Sequence, residues 1–221
     1  MFNSEKFKTE IYQPLFSKTE KSSGQMANYH KGLQLSATEL ADGYANGKTA
    51  EEIKADLNSR RIQCQMDFYP FSETMREKTQ AFLDEAFRLD PKAAEDVSRL
   101  LSMVNPSANE LRTLARDNKD NYTALRAIAS YAESRMPAFG ANMSASLESY
   151  RTEVEKQALS LVDTCCKGVL EKSYHTDWSI AAQSRMEKLE GAHSKLMISV
   201  GAEKPAPDGM QQAFNELPWR S

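Results

Sequence analysis

The stretch LESYRTEVEKQALSLVDTCCKGV, residues 147–169, decides the reading of this chain. Leu147, Tyr150, Val154, Ala158, Leu161, Cys165 and Val169 recur at steps of three and four, so they line one face of a helix. No proline interrupts them, and the pattern predicts one continuous helix from about Ala141 to Tyr174. That spacing suits a bundle seam or a partner helix, and it motivates an expectation of self-association as a dimer or higher. Beyond it, Asp177 reads as a cap for a helix carrying Ile180, Ala181, Met186, Leu189 and Leu196. The short link between the two predicts antiparallel packing.

Working upstream, the chain is punctuated by helix starts. In Ser107-Ala108-Asn109-Glu110 the hydroxyl and the carboxylate each take an unpaired backbone amide. Thr49-Ala50-Glu51-Glu52 and Ser36-Ala37-Thr38-Glu39 have the same form, and Asp90-Pro91 places a cap before a proline at the first helical position. The predicted helices carry Ile53, Leu57, Cys64 and Phe68; then Met75, Phe82, Leu83, Ala86, Phe87 and Leu89; then Val97, Leu100, Leu101 and Val104. Leu111, Leu114 and Ala115 follow, and after a turn at Asn118–Asn121 come Tyr122, Leu125, Ile128, Ala129 and Ala132. Pro14, Pro70 and Pro106 are expected to break helices, and Pro137 to stop the last of these. Asn46-Gly47 is a turn that closes a helix over about Gln25–Tyr44.

Composition agrees. Val and Ile number only 6 each, against 26 Ala, 19 Leu and 10 Met, which disfavours large sheets. The fold class expected is all-α, an antiparallel helical bundle with short αα-hairpins and arms at both ends. Residues 1–24 form an N-terminal arm or linker, with the polar run Ser17–Gly24 as linker. Residues 25–200 form the helical domain, in sub-units of about 25–89, 90–136 and 137–200, and 201–221 form a C-terminal arm.

Lys and Arg total 28 and Asp and Glu 31, a formal charge of −3, which argues against a strongly basic nucleic-acid protein. No stretch has the roughly 18 uninterrupted apolar residues of a membrane-spanning helix. Met1–Phe7 lacks the apolar core of a signal peptide. Cys64, Cys165 and Cys166 are a poor disulfide framework and read as reduced thiols. The chain is expected to be cytoplasmic.

Each trace of chemistry has a plainer reading. Gly43-Tyr44-Ala45-Asn46-Gly47-Lys48-Thr49 resembles a phosphate loop but has three residues between its glycines where four are needed, so it reads as a helix stop and a cap. Glu190 and His193 have the spacing of a di-metal motif, yet only His30 and His175 remain and no second motif exists. Glu171 and His175 read as a surface pair. No serine lies in a nucleophile elbow. A helix–turn–helix over Leu40–Leu57 would present Glu51 and Glu52 where phosphates belong. Arg112, Arg116, Lys119, Arg126 and Arg135 alternate with Asp117, Asp120 and Glu133, as on a solvated surface. No catalytic residue, metal ligand or cofactor is expected. The candidate partner-binding residues are Phe68, Tyr69 and Phe71, in the knot Phe68-Tyr69-Pro70-Phe71, and Trp219 near the chain end, because aromatic side chains dominate interface energetics.

Leu89-Asp90-Pro91 through Arg135, with Asn118-Lys119-Asp120-Asn121-Tyr122-Thr123-Ala124-Leu125-Arg126, and Gly47–Ile53 upstream, resemble helical proteins encoded by phages and prophages of Gram-positive bacteria. The resemblance implies a virion-assembly or host-interaction protein and carries over no functional residues. The expected function is therefore a non-catalytic protein-interaction protein, phage-encoded, that binds a virion component or inhibits a host factor. A nucleic-acid-binding helical module is the alternative, and a metal enzyme using Glu190 and His193 ranks below it.

Overall fold

Asp90 and Pro91 show how this chain starts its helices. The Asp90 carboxylate accepts from the Lys92 and Ala93 amides, and Pro91, which has no amide to satisfy, begins the helix. The computed structural model describes residues 2–24, 48–170 and 178–203, excepting the side chains of 53, 57, 61, 64, 65, 165–170 and 178–182. Among these residues every regular element is a helix and no strand occurs, so the fold is all-α. In order they are α1 (Ser4–Phe7), a π-helical turn (Lys8–Tyr12), α2 (residues 13–24), α3 (Ala50–Ala86), α4 (Pro91–Val104), α5 (Ala108–Asp117), α6 (Tyr122–Arg135), α7 (Pro137–Leu170) and α8 (Trp178–Ser199).

The capping boxes form as read. The Ser107 hydroxyl accepts from the Glu110 amide, and the Glu110 carboxylate accepts from the Ser107 amide at 2.8 Å. Thr49 and Glu52 repeat the arrangement at the start of α3, with the Thr49 amide 2.6 Å from the carboxylate. These amides hold both carboxyls below the ordinary carboxylate range. Asn121 caps α6 through the Ala124 amide. The expected features at Ser36–Glu39, Asn46-Gly47, Asp177 and the 204–221 arm lie outside the described residues.

Three expectations about breaks are corrected. Pro70 does not interrupt: α3 runs through it for 37 residues. Pro70 and Met66 are both exposed, so the carbonyl that the proline deprives of its donor lies on the solvent side, where a lost helix bond costs least. Pro14 does not end the front helix either. The turn just before it widens to the π form, which makes room for the ring that would strike a carbonyl in an α-helix. Residues 17–24, expected as linker, are helical and bury Thr19, Ser22 and Ser23. In addition, α7 starts four residues earlier than expected, with Pro137 at its first position.

By contact the chain divides into two units, and residues of α3, α7 and α8 belong to both. One unit contains residues 2–7, 80–158 and 194–203. Here α4 and α6 lie side by side and parallel. At their starts the Thr123 hydroxyl accepts from the Asp90 amide and donates to the Arg88 carbonyl. At their ends the Asn105 side chain accepts from Tyr131 and Arg135. Asn105 caps α4 in the left-handed conformation, φ 48°. Helix α5 also packs on α6. The core joins Leu101, Leu111, Leu125, Ile128, Leu147 and Val154 with Phe87, whose ring meets Tyr122 and Tyr150 edge-on at 5.2 and 6.1 Å. Phe2, Phe7 and Phe82 form an aromatic triad, and Lys6 reaches Glu85 at 2.7 Å.

The other unit contains residues 8–24, 48–79, 159–170 and 178–193. Its core includes Ile11, Leu15, Phe68, Met75, Leu161 and Leu189. Arg76 pairs with Asp163, and Lys48 with Asp56. The described part of the stripe on α7 is buried inside the chain: Leu147, Tyr150, Val154, Ala158 and Leu161. The side chains of Cys165 and Val169 lie outside the described residues. No described helix is long and apolar enough to cross a membrane.

Candidate functional site

Helix α3 carries two apolar stripes. Phe68 and Met75 form the inward one, 0% and 2% exposed. Ile62, Met66 and Tyr69 form a second, at i, i+4 and i+7, and remain 44%, 65% and 58% exposed. The three share one narrow face of the helix, because steps of four and three return to nearly the same angle. An apolar side chain left in water forgoes roughly 1.5–3 kcal/mol of burial. Three aligned in this way form a continuous exposed apolar ridge on α3.

The four residues singled out by sequence fall in different places. Phe68 is core, fully buried, with its ring edge-on to Phe71 at 5.6 Å, so no partner reaches it in this fold. Phe71 is half-buried beneath the Lys18 ammonium, 5.7 Å from the ring centroid. Only Tyr69 turns outward, and it belongs with Ile62 and Met66 rather than with its sequence neighbours. Trp219 lies outside the described residues. Ile62 and Met66 were missed because the stripe read from the sequence, Ile53, Leu57, Cys64 and Phe68, absorbs attention first. Their signal was a second set of apolar letters about 155° out of phase with it, at roughly 100° per residue.

A second exposed apolar cluster sits in the unit built on α4 and α6. Leu100, Met103 and Val104, at the end of α4, are 48%, 79% and 59% exposed. Beside α4, a shallow cleft of about 630 Å³ follows the α4–α6 seam, floored by Ala94, Ser98, Ala127 and Ser130 and rimmed by Leu89, Arg126 and Tyr131.

The remaining candidate groups are placed as follows. His193 is buried and stacks on Tyr12, centroids 3.7 Å apart and rings 23° from parallel, while Glu190 stays exposed. The two do not converge, and no group of three or more His, Cys, Asp or Glu side chains suited to a metal ion occurs among the described residues. Lys48 pairs with Asp56 and Thr49 caps α3, so the described end of the glycine-flanked loop is occupied with helix initiation. Of the basic residues on α5 and α6, Arg112 lies over Phe139, Arg126 pairs with Glu148 and Arg135 bonds Asn105. Of the stretch read as a helix–turn–helix, residues 40–47 lie outside the described residues and 50–57 are the start of the long helix α3. His30, Glu171 and His175 lie outside the described residues, and so do the side chains of Cys64, Cys165 and Cys166. No protein-family model matches this chain, and neither does any curated protein or solved structure.

Proposed function

We propose that this chain is a non-catalytic interaction protein that docks on a protein partner through the ridge Ile62–Met66–Tyr69. The observation that carries this reading is the alignment of three exposed large apolar side chains on one helix face. Scattered apolar residues on a surface are ordinary, but an aligned i, i+4, i+7 set is an interaction signature. Leu147 to Leu161 of the stripe that suggested self-association are buried within the chain, which supports a different protein over a second copy as partner. Its resemblance to phage and prophage helical proteins supports a virion component or a host factor in that role, reached from the cytoplasm.

The test is affinity capture from phage-infected Gram-positive cells with the wild-type chain and with Ile62→Ser/Met66→Ser/Tyr69→Ser. All three positions are exposed, so the variant is expected to keep its fold, with a circular dichroism spectrum and melting temperature close to wild type. The wild type is expected to retain a partner in stoichiometric amount and the variant to lose it. Equal retention by a folded variant would remove the ridge from the reading. Tight, steeply salt-dependent binding of duplex DNA or RNA in place of protein would favour the nucleic-acid alternative.

A further inference from the structure

Helix α2 and the turn before it bury one continuous face, but the chemistry of that face changes along its length. At the front are Ile11 and Leu15, 1% and 0% exposed, with Tyr12 stacked on His193. At the back are Thr19, Ser22 and Ser23, 1%, 9% and 2% exposed. The Thr19 hydroxyl donates to its own Leu15 carbonyl at 2.8 Å. The Ser23 hydroxyl is buried with no hydrogen-bond partner among the described residues. The back half therefore removes little apolar surface from water and leaves a polar atom unsatisfied, whereas the front half buries two full aliphatic side chains. Local propensity points the same way. Ser17-Lys18-Thr19-Glu20-Lys21-Ser22-Ser23-Gly24 holds five Ser, Thr or Gly residues, all weak helix formers. It is the composition of a linker held in helical form.

We propose that residues 17–24 are the releasable half of a two-stage strap, unwinding as a local unit while residues 8–15 stay docked. The group uncovered is the Phe71 ring, from which Lys18 lifts away. Opening of this kind is an order–disorder switch built into the fold, set by the polar buried face rather than by any ligand. It needs no change in α3 itself.

Native-state hydrogen exchange on the full chain tests it without requiring any partner, so its outcome is separate from that of the capture experiment. Amides of residues 17–24 are expected to exchange at least about tenfold faster than those of 9–15. Ser23→Ala, which deletes the unsatisfied hydroxyl, is expected to slow exchange in 17–24 about fivefold and leave 9–15 unchanged. Ser23→Asp, which would bury a charge, is expected to speed exchange in 17–24 alone. One common rate for both stretches, no response of 17–24 to Ser23→Ala, or unfolding of the whole chain by Ser23→Asp would each overturn the proposal.

Discussion

Helices α4 and α6 are both 14 residues long, both start at a side-chain cap and lie parallel against each other, yet they do opposite work. In α6 seven residues are buried, from Tyr122 to Ala132, because α4 and α5 both pack on it and the first turn of α7 folds back against its end. In α4 only Leu101 is buried, and Leu100, Met103 and Val104 stay in water. The comparison separates two questions that sequence reading tends to merge. Caps and breakers decide where a helix forms. Neighbours decide which of its apolar side chains is core and which is surface.

The largest effect expected inside this pair is at Leu125, fully buried in α6. Leu125→Ala should destabilise by about 2–5 kcal/mol, through lost transfer energy and the cavity left behind. Leu100→Ala, the same chemical change on α4, should stay within about 0.5 kcal/mol. Chemical denaturation of the two variants measures the contrast, and similar losses at both positions would break it.

A smaller effect belongs to the corner between α6 and α7. A Cβ added at Gly140 would lie 2.1 Å from the Glu133 nitrogen and 2.5 Å from the Ala132 carbonyl carbon. These are backbone atoms that cannot swing aside, so Gly140→Ala should cost about 1–3 kcal/mol by forcing the corner open. Thermal melting reads it directly, and an unchanged melting temperature would mean that α7 does not press on α6 as described.

Smaller still is the loss of a cap. Ser107→Ala should cost about 1 kcal/mol. Its partner Glu110 adds a pH dependence of known sign. The Ser107 amide and hydroxyl hold the Glu110 carboxyl below its ordinary value, so its contribution is fully present above the unfolded carboxylate range. That contribution is lost as pH falls through the lowered folded value. Melting temperatures of the wild type and Glu110→Ala should therefore differ at neutral pH and converge in acid. A constant gap down to strongly acid pH would exclude the carboxylate as the cause.

The contrast also shows how far the sequence could be read. Starts governed by local chemistry were legible, since Ser107 with Glu110, Thr49 with Glu52 and Asp90 with Pro91 need only residues within one turn. The stripe on α7 was legible as a helix face but not as core, because nothing local says whether another helix of the same chain will cover it. Pro14 and Pro70 misled for a related reason. The cost of a proline depends on the carbonyl it strands: Met66 faces solvent, and the turn before Pro14 widens. Gly140 lay in a stretch expected to end a helix, where its lack of a side chain is in fact what lets two helices meet. In the candidate site, the Phe68–Phe71 knot combined an outward tyrosine with an inward phenylalanine. Only the register of a helix continuing through Pro70 tells them apart.

Photo-crosslinking from the ridge is the most direct measurement of the interaction account. The crosslinking amino acid benzoylphenylalanine is placed at Tyr69 and, as a control, at Lys78, an exposed residue on a different face of the same helix, in phage-infected Gram-positive cells. The account predicts a discrete adduct with one other protein from position 69 and none from position 78. The same adducts from both positions, or none from position 69 in chain shown to be folded, would contradict it.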